Sequence, residues 1–496
     1  MHVFFEPKSV AVIGASKKID KAGHVIFKNF VINKNHGIFH GEIYPVNPNE
    51  DYILDYKCYP SLTKIPGIVE LIIIVVPAQI VPSIMREAAT KGVKAAVIVS
   101  AGFSEVGNHE LENEVKKIAK ETGIRVLGPN CLGVYDSYTG IDMLFLPETK
   151  VLTSGDEMVA TPRPMKGYIS IVTQSGAFGA SALDYLTGRQ IGISKFVSFG
   201  NKCDVNESEM LYYLMQDDKT RAILLYVEGI DSGREFMEVS AHVTKKKPIV
   251  ALKSGRTTAG ARAALSHTGA LTGSDKVYDA AFSQVGIVRA KDMEQFFDMS
   301  KALAFQPPAN GSNIGILTDA GGPGIMATDE CEMLGLTVKK FSKKTLQKFE
   351  ELKERGILPK IATCGNPVDL TGLATSETFE YATQIIMEDP EIHGLIVLGL
   401  HHLPGLQEDF VDRVAQVAKN FIKPIVACDI GETEMALYVR FRFDKLGIPS
   451  YASPEDAARA MKALVEYGRY LKKKGYFEDY MKHFLKRRSD QTLKVS

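Results

Sequence analysis

No two of the six cysteines, at 58, 131, 203, 331, 364 and 428, stand close enough to make a C-x-x-C pair. That absence argues against a disulfide framework and a structural zinc site, and it points to a reducing compartment. The chain has no excess of charge, 59 basic residues against 59 acidic ones, which argues against a nucleic-acid partner. Its longest apolar runs, such as LIIIVVPA at 71–78, fall far short of the roughly 20 residues that cross a bilayer. A strand-like segment begins by residue 9, which leaves no room for a secretory leader. A cytoplasmic protein without membrane contact is expected, with no metal site of its own. Nucleotide signatures are thin too. There is no G-x-x-x-x-G-K-[ST], KSGRTTAG has the wrong spacing for one, and the turn at Gly14–Ser16 is not a full G-x-G-x-x-G.

What is present is a chain of 496 residues, long enough for two to four domains. SVAVIGAS (9–16) reads as a buried strand entering a glycine turn and then a helix. Short apolar bursts follow: GEIYPVNP, ELIIIVVPA, VKAAVIVSAG and IRVLGPNCLG, separated by helix-like stretches. Strands apolar on both faces with helices between them predict a parallel sheet. Ligands of such folds bind at the carboxyl ends of the strands. Those ends hold Gly14, Ala15 and Ser16, then Val76 and Pro77, then Ser100, Ala101, Gly102 and Phe103, then Pro129 and Asn130. After the second strand the chain reads YPVNP, without the acid that would take a ribose, so a hydride-transferring dehydrogenase is disfavoured. A nucleotide-like ligand with phosphate near the first helix fits better.

The middle and last thirds resemble each other. YISIVTQSGAFG (168–179) aligns with NIGILTDAGGPG (313–324), and AILLYVEGI (222–230) takes the place of GLIVLGLHH (394–402). KKPIVALKSG (246–255) aligns with IKPIVACDIG (422–431), and GIVRAKDMEQFF (286–297) with GIPSYASPEDAA (447–458). Between Gly255 and Gly286 the middle copy holds 15 residues that the last copy lacks. They fall in KSGRTTAGARAALSHTGALTGSD (253–275), which sets His267 among small and hydroxyl-bearing residues. A core histidine does not normally arrive by insertion, so His267 is a candidate functional group. In the middle copy the first strand ends at Gln174, Ser175, Gly176, Ala177, Phe178 and Gly179, a turn into a helix whose unpaired amides suit a phosphate. In the last copy, Asp319 and Pro323 weaken the equivalent anion site. Glu228 ends a strand of the middle copy, where its carboxylate could accept the Nδ1–H of His267 and leave Nε2 as the nucleophile.

On FEPKSVAVIGAS, YPVNP, AVIVSAGFSE, LGPNCLG, TQSGAFG, SFGNKCDVNE, YVEGI, the His267 segment and GNPVDLTG, the chain resembles the α subunit of ADP-forming acyl-CoA synthetases of the acetate–CoA ligase type. It is more distantly similar to the succinate–CoA ligase α subunit, which would lack the repeated last domain. The resemblance implies a Rossmann-like coenzyme A-binding domain (1–146), a flavodoxin-like phosphohistidine domain (147–304), a second flavodoxin-like ligase domain (305–465) and a basic C-terminal helix or tail (466–496). It implies coenzyme A or acyl-CoA at the first strand ends, Asn130 beside the thioester, phosphate at Gln174–Gly179, and Glu228 orienting a His267 that becomes phosphorylated. ADP or ATP with Mg²⁺ would sit mainly on a β subunit with an ATP-grasp nucleotide site, in an α2β2 assembly. A non-catalytic coenzyme A-binding scaffold is the alternative from another class, and retention of both His267 and Glu228 speaks against it.

Overall fold

A computed structural model describes residues 1–262 and 274–495, in which the chain forms two compact bodies. The first comprises Met1–Val243 with Ala251–Val285, and the second Thr244–Val250 with Gly286–Ser496.

The first body opens with five parallel strands in the order Glu42–Val46, Ser9–Ile13, Leu71–Ile74, Ala95–Ile98, Arg125–Leu127. A single bridge from Val46 to Tyr59 marks a vestigial strand beyond Glu42–Val46, which completes a doubly wound order. Leu71, Ile72, Ile73 and Ile74 are all buried, as strands covered by helices on both faces must be. The covering helices include Ala22–Asn35, Val81–Lys91 and His109–Thr122, the last two ending at Gly92 and Gly123 in left-handed conformation. Winding changes side between Ser9–Ile13 and Leu71–Ile74, so a crevice opens beyond their carboxyl ends.

Five strands of a second sheet follow in the same body, ordered Ala222–Val227, Lys166–Thr173, Ile193–Ser198, Gly133–Asp136, Ile141–Asp142. The pairings of Lys166–Thr173 with both neighbours are parallel. The two short strands at the far edge, Gly133–Asp136 and Ile141–Asp142, run antiparallel. Helix Gly176–Gly188 starts at Ser175, whose side chain accepts the Phe178 amide, and helix Glu207–Gln216 starts at Asn206, which accepts the Glu209 amide. Such caps satisfy helix-end donors that otherwise lack partners.

The second body repeats that order. Val368–Asp369, Ile314–Thr318, Gly394–Leu398, Ile425–Cys428 and Ser450–Tyr451 are parallel neighbours, with Thr363–Cys364 antiparallel at one edge. Helix Pro454–Lys473, capped by Ser453, buries an alanine-rich face against this body. The small residues permit close approach: a Cβ on Gly468 would lie 2.1 Å from the Ala309 carbonyl. The terminal basic segment forms helix Phe477–Val495. Among the described residues no helix is long and apolar enough to cross a membrane.

Candidate functional site

The first body holds a cavity of about 990 Å³ lined from both of its sheets. From the first sheet come Val76, Pro77, Ser100, Ala101 and Asn130, and from the second Gln174, Ser175, Gly176, Ala177 and Glu228. Ten residues singled out in the sequence for separate reasons therefore share one space.

The first-sheet wall depends on close backbone approaches. Gly14 has φ +91°, and a Cβ there would lie 2.3 Å from the Val75 carbonyl. Only glycine tolerates both conditions. Gly23, at the start of the first helix, would meet the Gly14 carbonyl at 2.1 Å, so strand, turn and helix are drawn tightly together. Ser100 closes the neighbouring strand ends: its hydroxyl donates to the Val76 carbonyl at 2.6 Å and accepts the Val76 amide at 3.1 Å. That hydroxyl shapes the wall through the backbone. Gly102 and Phe103 donate their amides to Glu105 at 2.5 and 3.1 Å, and Phe103 itself is fully buried. Burial would raise the Glu105 carboxyl, but these amides and Asn201 outweigh it and hold the group below its usual range.

Asn130 stands on a left-handed turn, φ +56°, with its amide on the Ser100 carbonyl at 3.0 Å. Asparagine adopts this conformation more readily than most residues. Its Nδ2 donates to Asn201 Oδ1 at 3.3 Å, and Asn201 in turn donates to Glu105 at 2.6 Å and Glu112 at 2.8 Å. Asn201 thus joins the turn after Ile193–Ser198 to two loops of the first sheet. The turns also bond directly, Asn201 N to Pro129 O at 2.9 Å and Cys203 N to Gly128 O at 3.0 Å.

On the second sheet, Gln174 clamps the loop that carries Glu228. Its Oε1 accepts the amides of Glu228 and of Gly229, the latter at 3.0 Å, while Nε2 donates to the Gly229 carbonyl at 2.8 Å. The Tyr226 hydroxyl hydrogen-bonds Ser254 and Glu228; burial and the nearby Glu228 charge push its phenol up. Phe178 stacks on Tyr226 at 4.2 Å. Gly176 and Ala177 occupy the first turn, where amides have no carbonyl four residues behind them.

Eight sequence candidates do not line the cavity: Gly14, Ala15, Ser16, Gly102, Phe103, Pro129, Phe178 and Gly179. The first six stand in the turns after strands of the first sheet, while Phe178 and Gly179 belong to helix Gly176–Gly188. His267 lies outside the described residues. The lining also includes Glu105, Leu132, Phe145, Leu146, Asn201, Lys202 and Asp231, none of which was singled out as a site residue. The rule that pointed to the other strand ends applies equally to the turn after Ile193–Ser198, and it would have found Asn201 and Lys202.

The second body carries its own polar cluster at the carboxyl edge of its sheet. His401 Nδ1 lies 2.8 and 3.0 Å from the Asp429 carboxylate, with both side chains buried. Asp319 accepts the Leu400 amide at 3.0 Å, the role Gln174 plays for Glu228 in the other copy. Burial raises Asp319 to about 7 and Asp429 to about 6.

Three domain families match the chain: a CoA-binding domain over 8–137, a succinyl-CoA ligase-like flavodoxin domain over 166–303, and a ligase-CoA domain over 314–470. The chain is 39% identical over 484 residues to an ADP-forming acetate–CoA ligase of Methanocaldococcus jannaschii, covering 96% of itself and 64% of that relative. It thus spans about two thirds of the length of that protein. It is 38% identical to the α subunit of ADP-forming acetate–CoA ligase I of Pyrococcus furiosus, covering 95% of itself and 98% of the relative. Among solved structures, acetyl-coenzyme A synthetase 1 of Ca. Korarchaeum cryptofilum, in complex with phosphate and ADP, superposes with a TM-score of 0.85 at 34% identity. That match covers 96% of this chain and 98% of the other.

Proposed function

From the premise that the chain belongs to the ADP-forming acetate–CoA ligase family, we propose that it is the α subunit of such an enzyme, interconverting acyl-CoA, ADP and phosphate with carboxylate, coenzyme A and ATP. The observation that carries this reading is the shared cavity. Strand ends of a CoA-binding domain and the helix start at Gly176 open into one space, with Glu228 at its wall.

Inorganic phosphate attacks the acyl carbon of the thioester. The C–S bond breaks, coenzyme A leaves as thiolate, and an acyl phosphate forms. Nε2 of His267 then attacks phosphorus, and the P–O bond to the carboxylate breaks. Phosphohistidine finally transfers its phosphoryl group to ADP. Asn130 polarises the acyl group, the Gly176 and Ala177 amides take phosphate charge, and the Glu228 carboxylate orients the His267 imidazole and stabilises it when positively charged. Glu228 is suited to this because Gln174 fixes its backbone on one side and Tyr226 meets its side chain on the other. ADP with Mg²⁺ is held by a β subunit bearing an ATP-grasp fold, in an α2β2 assembly in the cytoplasm.

Incubation with the β subunit, acyl-CoA and radiolabelled phosphate is expected to leave an acid-labile label on this chain, and His267→Ala to abolish it. Absence of label on the wild-type chain would overturn the enzyme reading in favour of a coenzyme A-binding scaffold.

A further inference from the structure

The charged residues lining the cavity are Glu105, Glu228, Asp231 and, as the one cation among the described lining residues, Lys202. An anionic reactant entering a half-enclosed space beside three carboxylates meets repulsion that helix-end amides offset only in part. The Glu105 charge is already held by the Gly102 and Phe103 amides. The remaining balance rests on Lys202.

Lys202 is held where no flexible surface lysine would be. Its backbone is left-handed, φ +57°, a conformation that disfavours side chains with a Cβ. The preceding Gly200 makes the turn possible, since a Cβ there would lie 2.1 Å from the Pro129 carbonyl. The ammonium donates to Glu207 at 3.2 Å and to the Gly229 carbonyl at 3.1 Å, and it forms an ion pair with Asp231 at 3.2 Å. Its side chain is 8% exposed and that of Glu207 3%, whereas that of Asp231 is 74% exposed. Glu207 is therefore a built-in counter-ion, and Gly229 ties the lysine to the loop that Gln174 also clamps. Asp231 differs from both. An ion pair with so exposed a carboxylate contributes little, so a phosphate oxygen can replace it and gain a charge-assisted bond in a drier setting.

We infer that Lys202 is the cationic contact for the transferring phosphoryl group, exchanging the Asp231 carboxylate for an oxygen of inorganic phosphate and of the acyl phosphate formed from it. The exchange replaces one ion pair by another and breaks no covalent bond. It rests on the ligase reading for the identity of the reactant. The contact itself requires only that phosphate binds.

Lys202→Met would strand the buried Glu207 charge, so the decisive variant is Lys202→Met/Glu207→Gln, with Asp231→Asn as the opposite case. Inorganic phosphate is titrated into the full chain by calorimetry, and KM values for phosphate and acyl-CoA are measured with the β subunit present. The double variant is expected to weaken phosphate by about tenfold or more with the acyl-CoA KM within about twofold, and Asp231→Asn to tighten phosphate by about twofold to fivefold. A folded double variant that binds phosphate like the wild type overturns the inference, as does an Asp231→Asn chain with unchanged or weaker binding, or a wild type that binds none. Phosphate binding lost in the double variant without ligase turnover in the wild type would sustain the contact and sink the ligase reading. Turnover with an unaltered phosphate KM would do the reverse.

Discussion

At the residue scale, two strand-end carboxylates of the repeated domains, Glu228 in one and Asp319 in the other, behave in opposite ways. Glu228 has its backbone fixed independently of its side chain, because Gln174 takes the amides of Glu228 and Gly229. Glu228→Gln should therefore leave the melting temperature within about 2 °C of wild type while lowering kcat of the assembled enzyme about 100-fold. Denaturation and turnover measured on one preparation separate the two effects. Asp319 in the second body is buried, and its carboxyl is raised from 3.8 to about 7, burial outweighing the Leu400 amide while Asp429 and Asp369 add to the shift. A carboxyl raised on folding binds more protons in the native than in the unfolded state between about pH 4 and 7. Stability contributed by the protonated form is accordingly lost as pH rises through that window. Asp319→Asn keeps an acceptor for the Leu400 amide and has no charge to bury. It is expected to be about 1–3 kcal/mol more stable than wild type at pH 8 and nearly equal at pH 4, as urea denaturation at the two values would show.

At the scale of elements, the site is made of turns between strands and helices, and those turns tolerate change unequally. Gly14 and Gly92 share a positive φ, but a Cβ at Gly92 meets nothing within 4 Å while one at Gly14 strikes the Val75 backbone. Gly92→Ala should lose about 1 kcal/mol, whereas Gly14→Ala should lose more than about 3 kcal/mol or fail to fold. Comparable losses in urea denaturation would show that the close approach at Gly14 is not needed. Ser175→Ala removes the cap from Gly176–Gly188 and is expected to cost about 1 kcal/mol, with a rise in the phosphate KM because the same helix start lines the cavity. A shift in stability with phosphate KM unmoved would place the anion elsewhere.

At the scale of the whole molecule, the two sheets of the first body are joined by polar contacts as well as packing. Arg125, on the last strand of the first sheet, bonds Asp204 at 2.9 Å and Glu209 at 2.8 Å near the start of helix Glu207–Gln216. Removing the guanidinium leaves two half-buried carboxylates facing each other. Arg125→Met should destabilise the first body by about 2 kcal/mol and raise the KM for acyl-CoA, since walls of the cavity come from both sheets. Destabilisation without any kinetic change would show that the two sheets keep their register through apolar packing alone.

The sequence by itself determined the periodic and local features. Continuous apolar bursts between helix-like stretches required parallel sheets, because strands covered on both faces must be apolar throughout. The internal repeat reappears as one strand order in the second sheet and in the second body. Turns at strand ends marked Asn130, Gln174–Ala177 and Glu228 as candidates, because that edge is where such folds bind ligands. Only the tertiary structure decided which of them meet. Phe103 and Gly179 stand in the same motifs as lining residues yet lie beneath the surface, and Ser100 spends its hydroxyl on backbone carbonyls. Lys202 was the harder case: its motif was legible, but a lysine becomes a site cation only when burial, a left-handed turn and a fixed counter-ion place it. Those conditions arise from contacts between distant segments, and no local pattern encodes them.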